Sequence, residues 1–192
     1  MRIEPKKLED YPFWLRWIYR REVKKYGQML IPAMIWGRMP RLFALIALAL
    51  SFFQRKTSPI DPVVRSLVML RIAQLNWCDF CVDLNATFLI KATGSAEKHD
   101  ALENWRESAV FSEKEKISLE YAEMVTLSDR RVDDKLMGEL KKHFDDDAVV
   151  ELTALISFQN LSSKFNSALD LPSQGLCKIP KRKPAETSPT IE

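Results

Sequence analysis

The apolar residues of this chain recur mainly at intervals of three and four, the spacing that places side chains on one face of an α-helix. The clearest stripe follows Asp61 and Pro62, a pair typical of a helix N-terminus, and consists of Val64, Leu67, Val68, Ile72 and Leu75. We expect Asn76 to end this helix, because asparagine tolerates the left-handed conformation that closes helices. A second helix is predicted from about Cys78 to Thr93, with Gly94 as its stop.

Further segments complete the helical pattern. An apolar helix is expected at about 41–54, and the stretch from Ser112 to Glu115 has the capping-box pattern that opens another helix. Asp133 starts a shorter helix, and an acidic run precedes a long one at about 149–169. Together with a helix at 11–26, these segments predict six or seven helices joined by short connections.

The helix at 11–26 combines basic positions with an aromatic face, which consists of Phe13, Trp14, Trp17 and Ile18. We expect these rings to pack on the chain's own domain or on a neighbouring subunit. A membrane-surface helix is the less favoured alternative, because the apolar strip is short. The uninterrupted apolar run at 42–53 is also too short to span a membrane, since a span takes roughly 20 residues.

The composition favours one compact all-α domain with terminal extensions. The chain has 192 residues, of which 46% are hydrophobic, and only 5 glycines, so it can bury one sizeable core and lacks the turn-rich character of β folds. We predict an N-terminal helical arm at 1–34, a helical domain at 35–175 and a disordered tail at 176–192, where the sequence becomes polar and contains prolines.

The charge balance and the cysteine content limit the classes of function. The 29 basic and 26 acidic residues nearly cancel, so the net charge of +3 gives no reason to expect a nucleic-acid partner. Three cysteines and a charged start argue against a secreted protein held by disulfides. A cytoplasmic location is therefore predicted.

Cys78 and Cys81 are the strongest candidates for chemistry. Residues three apart on a helix lie on one face, so the two sulfurs are within reach of each other. The N-terminus of a helix stabilises a thiolate, which favours Cys78 as the more acidic thiol and a redox pair as the function. Two alternatives remain, namely a zinc site and two small buried side chains without chemistry. Zinc would need further ligands, and the candidates are Cys177, His99 and His143.

The stretch 65–94, in which a helix ending in asparagine leads directly into Cys-Asp-Phe-Cys, resembles the core motif of the carboxymuconolactone decarboxylase superfamily, in its alkylhydroperoxidase D-like branch. Later segments around 111–115, 143–145 and 150–166 are also similar, and the resemblance covers about 35–175. It implies an all-helical fold, a homo-oligomer (trimer or hexamer), and reduction of a small peroxide or disulfide with an electron-donor protein but no cofactor or metal. It also implies that Cys81 attacks and that Cys78 resolves. The helix argument favours the reverse order, so the assignment stays open.

The chain departs from the family at two positions that matter for proton transfer. The family's relay uses a glutamate twelve residues before the first cysteine and a histidine four residues after the second, and Ser66 and Asn85 occupy those positions here. Neither side chain is a base near neutral pH, and a positioned acid–base group is worth about 10²–10⁴ in rate. Asp79 and Asp83 lie nearby in sequence, and we expect them to form a solvated face of the helix.

Three functions follow from these features. The favoured one is a thiol-dependent oxidoreductase of antioxidant type with a degenerate proton relay. The alternative is a non-catalytic or redox-sensing helical scaffold that acts through oligomer or partner binding. A decarboxylase-like enzyme is the weakest, because the only histidines that could supply its acid–base group are His99 and His143, both outside the C-x-x-C motif.

Overall fold

The computed structural model describes residues 1–177, and within that range it is all-α, as predicted. These residues form nine α-helices, two short 3-10 helices at Leu8–Asp10 and Leu102–Asn104, and no β-strand. The α-helices are α1 Phe13–Tyr26, α2 Ile31–Trp36, α3 Pro40–Phe53, α4 Pro62–Leu75, α5 Asp79–Thr93, α6 Glu97–Ala101, α7 Glu113–Thr126, α8 Asp134–Leu140 and α9 Asp146–Ala168.

The predicted number of six or seven helices was too low. The additional helices include α2 and α6, which have 6 and 5 residues and are too short to show a helical period in the sequence. Of the predicted tail at 176–192, only the first two residues are described, and 178–192 lie outside the described residues. No helix among residues 1–177 has the length and apolar character needed to cross a membrane.

The centre of the fold is α4, which packs against α5, α7 and α9. Its buried side chains point in every direction around the helix axis, so it shows no single apolar face. One core lies between α4, α7, α8 and α9, and a second lies between α4, α5 and α7, with Trp105 at its edge. The position of α4 fixes the start of α5, because only three residues connect the two helices.

Polar caps start the helices where the sequence predicted. The Asp61 carboxylate accepts a hydrogen bond from the Val63 backbone N–H at 2.8 Å. Ser112 and Glu115 form the predicted capping box, and Asp133 and Asp145 each cap the helix that follows. Such caps are local, since the side chain bonds backbone N–H groups two or three residues ahead, and sequence alone identifies them.

Asn76 is the C-cap of α4, as predicted, but the left-handed conformation expected of it falls on the next residue. Trp77, rather than Asn76, adopts the left-handed conformation, with a φ of 54°. The Cys78 N–H donates to the Ala73 carbonyl and the Trp77 N–H donates to the Gln74 carbonyl, which together form a Schellman motif. The Asn76 amide is engaged elsewhere, because it donates to Asn160 Oδ1 and Ser163 Oγ on α9 (2.9 and 2.8 Å).

The arm packs on the chain itself, but through a face that only partly matches the predicted one. Tyr11, Leu15 and Tyr19 are buried, whereas Phe13 and Trp17 are 77% and 56% exposed. The partners of these buried residues lie in α2, in α3 and at Phe165 of α9. Close packing also constrains Gly37, since a Cβ there would lie 1.9 Å from the Tyr19 hydroxyl oxygen.

Candidate active site

Cys78 and Cys81 lie at the junction of α4 and α5. Cys78 is the N-cap of α5, and its Sγ accepts a hydrogen bond from the Cys81 backbone N–H at 3.2 Å. The two sulfurs are joined in a disulfide across a Cα–Cα distance of 5.2 Å. Both residues are buried, at 1% and 4% exposure. The Schellman motif and the cap thus bring the two cysteines together through backbone geometry alone.

A cavity of about 380 Å³, partly open to solvent, lies beside this pair. Cys81 lines the cavity, whereas Cys78 does not belong to its wall. Most of the wall is apolar and much of it is aromatic, with contributions from Trp36, Phe43, Phe80, Phe88 and Phe158. A molecule inside the cavity therefore contacts Cys81 before Cys78.

One part of the cavity wall carries polar side chains that lack partners. Three buried polar atoms have no hydrogen-bond partner among residues 1–177, and they are Asn85 Oδ1, Gln159 Nε2 and Asn166 Oδ1. All three residues line the cavity. Buried polar groups in proteins are nearly always hydrogen-bonded, so three unpartnered ones in the cavity that Cys81 lines make this part of the wall a candidate binding site for a polar group.

Asn166 also contacts the reactive pair directly. Its Nδ2 donates to Cys81 Sγ at 3.4 Å from the last part of α9. After reduction, a donor in this position stabilises the thiolate relative to the thiol. The same side chain thus holds Cys81 and offers its free Oδ1 to the cavity.

We expect Asn166→Ala to move the pH at which reduced Cys81 reacts upward by about one unit. A hydrogen bond to a charged group is worth about 1.5–3 kcal/mol, and about 1.4 kcal/mol corresponds to one pH unit. Alkylation rates of Cys81 across pH, resolved by mass spectrometry of the peptide, measure this shift. Asn104→Ala is the control, because Asn104 is exposed and does not belong to the cavity wall. Identical profiles for the two variants would contradict the role of Asn166.

The two positions of the family's relay lie in different surroundings. Asn85, in α5, lines the cavity one turn after Cys81. The Ser66 hydroxyl donates to the Pro62 carbonyl at 2.8 Å within α4, and Ser66 is not part of the cavity wall. The structure therefore brings Asn85 to the site but not Ser66, and neither supplies a base.

Glu22 is the cavity residue that sequence reasoning missed. It lies on α1, lines the same cavity as Cys81, and accepts a hydrogen bond from the Leu30 N–H at 3.3 Å. Leu30 in turn packs with Cys78, Phe80 and Cys81. Burial raises the pKa of Glu22 to about 7, with the Leu30 hydrogen bond and the charge of Lys25 opposing the effect. The sequence gives only a partial signal: Leu15, Tyr19, Glu22 and Tyr26 fall on one helical stripe, but the stripe does not tell which part of the fold it meets.

Asp83 corrects another expectation, because it is buried rather than solvated. Its carboxylate accepts hydrogen bonds from Ser173 Oγ and from the backbone N–H groups of Gln174, Leu176 and Cys177, at 2.6–2.9 Å. Burial would raise the pKa of this carboxyl, but the four hydrogen bonds together hold it below its ordinary value. Asp79, by contrast, is exposed as expected.

The segment held by Asp83 also reaches the arm. The Gln174 side chain accepts from the Ile31 N–H and donates to the Gln28 side chain and the Met29 carbonyl. The segment 173–177, which we call the Asp83 strap, therefore connects α5 to the loop between α1 and α2. This connection sets the position of α1 and, with it, of Glu22.

The candidate zinc ligands do not gather around the cysteine pair. His99 and Cys177 line a separate surface pocket with Asp79 and Asp83, and His143 lines another. Burial raises the pKa of the Cys177 thiol. Within the described part of the chain, no group of three or more His, Cys, Asp or Glu side chains is arranged to hold a metal ion.

Comparison with known proteins places this site in a family. The model of the carboxymuconolactone decarboxylase family matches residues 40–124. Over 179 residues the chain is 48% identical to the uncharacterized protein YnjA of Escherichia coli strain K12, an alignment that covers 92% of this chain and 97% of that relative.

Two solved structures share the fold along almost the whole chain. The alkylhydroperoxidase AhpD core of a peroxidase-related protein from Ralstonia eutropha JMP134 has a TM-score of 0.81 at 17% identity and covers 91% of this chain and 93% of its own. The debrominase Bmp8 has a TM-score of 0.78 at 17% identity and covers 91% and 92%. At such identities the similarity establishes an AhpD-like fold. Together with the family match and the E. coli relative, it shows that the chain belongs to the carboxymuconolactone decarboxylase family.

Proposed function

We propose that this protein is a thiol-dependent oxidoreductase that reduces a small organic substrate at Cys81, with Cys78 as the resolving thiol. The observation that carries the proposal is the position of Cys81, which lines the cavity while its sulfur is bonded to Cys78. The cavity wall thus favours the order of attack that the family resemblance implied. The helix N-terminus then acts on Cys78 as the thiol that closes the disulfide.

The reaction can be written with a hydroperoxide as the substrate. The Cys81 thiolate attacks the terminal oxygen, the O–O bond breaks, and the alcohol leaves after taking up a proton, so that Cys81 becomes a sulfenic acid. Cys78 then attacks this sulfur, the disulfide forms and water leaves. A dithiol donor restores both thiols and becomes a disulfide itself. With a disulfide substrate, the same two cysteines act by exchange.

The cavity wall favours an organic hydroperoxide over hydrogen peroxide. Its aromatic side chains suit an apolar body, while Asn85 Oδ1 and Asn166 Oδ1 are free acceptors and Gln159 Nε2 is a free donor. A hydroperoxide head has one O–H to donate and oxygens to accept, which matches this set. The fold neighbour Bmp8, named as a debrominase, supports the idea that this fold accepts apolar organic substrates.

The setting of the reaction follows from the same chemistry. We place the protein in the cytoplasm, where dithiol donors keep such pairs reduced. We also propose a homo-oligomer, a trimer or hexamer as the family resemblance implies, and the exposed apolar face of α3 that consists of Leu45, Leu48 and Phe52 supports association of subunits. The decarboxylase alternative gains no support from the cavity, since neither His99 nor His143 belongs to its wall.

The test measures the oxidation of the reduced Cys177→Ser variant, in which Cys78 and Cys81 are the remaining cysteines. We expect one equivalent of cumene hydroperoxide to oxidise Cys78 and Cys81 to the disulfide, with one equivalent of alcohol released. The reaction should be at least about tenfold faster than with hydrogen peroxide, because the apolar walls bind only the organic substrate. Thiols that remain unreacted with both peroxides and with small disulfides would instead support the non-catalytic scaffold.

A further inference from the structure

The geometry points to Glu22, supplied by the N-terminal arm, as the group that takes the proton from the Cys81 thiol and returns it to the departing alcohol oxygen. This inference rests on the proposed function and names the acid–base group that Ser66 and Asn85 cannot provide. In this inference the N-terminal arm supplies a catalytic side chain to the active site. It also explains how a chain without the family's glutamate and histidine can still carry out the chemistry.

Glu22 shares the cavity with Cys81 and is held there by the backbone. Its Oε2 accepts from the Leu30 N–H, and Leu30 packs in the same cluster as both cysteines and Phe80. The other carboxylate oxygen, Oε1, makes no hydrogen bond to another residue among residues 1–177, so it is free to exchange a proton with a group in the cavity.

The other ionisable groups around the cavity do not offer an equivalent base. Apart from Cys81, the ionisable residues of the wall are Glu22, Lys25 and Tyr26, all three on α1. The walls from α3, α5 and α9 contribute only uncharged side chains. Tyr19 lies one turn before Glu22, and its burial raises the pKa of its hydroxyl, so it stays protonated. Glu22 is thus the one carboxyl in the wall of the cavity that Cys81 also lines.

The protonation equilibrium of Glu22 suits this role. Burial raises its pKa to about 7, so both forms are populated at neutral pH and each can act once per turnover. The carboxylate accepts the thiol proton as Cys81 becomes nucleophilic. The resulting carboxylic acid gives that proton to the alkoxide when the O–O bond breaks. No proton is gained or lost by Glu22 over the whole step.

We test this with Glu22→Gln, which keeps the shape of the side chain and removes its acidity. The rate of cumene hydroperoxide reduction by the wild type should rise with an inflection near pH 7, and the variant should lose that inflection. At pH 7 the variant should be about 10²-fold slower or more. Above the pH at which the thiol ionises by itself, the two rates should converge. Glu9→Gln, an exposed carboxyl of the same arm, is the control and should follow the wild type.

A direct titration separates this inference from the proposed function. Infrared or NMR detection of the Glu22 carboxyl should show it titrating near pH 7, whatever the substrate of the enzyme is. Folding favours its protonated form, so this contribution to stability is complete below about pH 4.5 and is lost as the pH rises through about 7. The melting temperature of the wild type should fall over that window more than that of Glu22→Gln.

Two results would overturn the inference. One is a wild type that reduces the peroxide and a Glu22→Gln variant with the same pH profile. The other is a Glu22 carboxyl that titrates near 4.5. If the wild type does not react with any peroxide or disulfide, the proposed function fails, and the titration alone then decides whether Glu22 has the raised pKa on which its role depends.

Discussion

A Cys81→Ser variant is expected to lose reduction of organic hydroperoxides by roughly 10³-fold or more, because the hydroxyl cannot replace the thiolate as the attacking group. The cavity lets substrate reach position 81 and not position 78, so the remaining thiol cannot take over. The measurement is a single-turnover assay of alcohol release from reduced protein. Folding should be unaffected, since serine is close to cysteine in size.

Two further variants test which cysteine attacks first and whether Cys177 takes part. Cys78→Ser should keep the first attack and accumulate a sulfenic acid on Cys81, which a dimedone adduct detects by mass spectrometry. Cys177→Ser should behave as the wild type, since Cys177 lies outside the cavity wall. If Cys78→Ser abolished the first attack while Cys81→Ser kept it, the order of attack would be the reverse and the helix N-terminus would decide which thiol reacts.

The largest effect on stability is expected from Glu123→Ala, at about 3–5 kcal/mol of the free energy of unfolding. The buried carboxylate of Glu123 in α7 accepts from Arg71 Nε at 2.6 Å and from Trp105 Nε1 at 3.0 Å through one oxygen. Its other oxygen accepts from Arg106. Removing it leaves the largely buried charge of Arg71 without its carboxylate partner, which costs more than the loss of an exposed ion pair.

Urea unfolding followed by circular dichroism measures this change. Glu120→Ala is the matched control, because Glu120 is exposed on the same helix one turn earlier, and it should shift stability by about 0.5 kcal/mol or less. Since Arg71 belongs to α4, the loss should also loosen the junction that holds the cysteines. Equal midpoints for the two variants would mean that the charge network around Glu123 contributes nothing to stability.

The parts of the fold that depend on neighbours in sequence were predictable. Asp61, Ser112 and Asp133 cap helices through backbone groups two or three residues ahead, so a single sequence identifies them. The end of α4 was harder, because Asn76 is drawn away by hydrogen bonds to α9. Trp77 then takes the left-handed conformation, although it is a large residue that rarely adopts it. A contact 84 residues away in sequence overrides the local preference.

The polar parts of the site depend on such distant contacts even more. The carboxylates of Asp83 and Glu22 look like ordinary surface charges in the sequence. Asp83 is buried by a segment about 90 residues later, and Glu22 is half-buried where α1 meets the cavity that residues of α3 and α5 also line. The cysteine pair could be found because its spacing carries the signal. Its acid–base partner could not, because the periodicity of a helix does not say what the helix packs against.

The Asp83 strap has a consequence for how the protein is made. Ser173 follows Asp83 by 90 residues, and at about 5–20 residues per second the ribosome needs roughly 5–18 s to produce that interval. During this time Cys78 and Cys81 have already been synthesised, but the segment that ties α5 to the loop after α1 has not. The newly made thiols therefore meet cellular oxidants and reductants before the site around them is complete, because the segment that closes it is synthesised well after both cysteines.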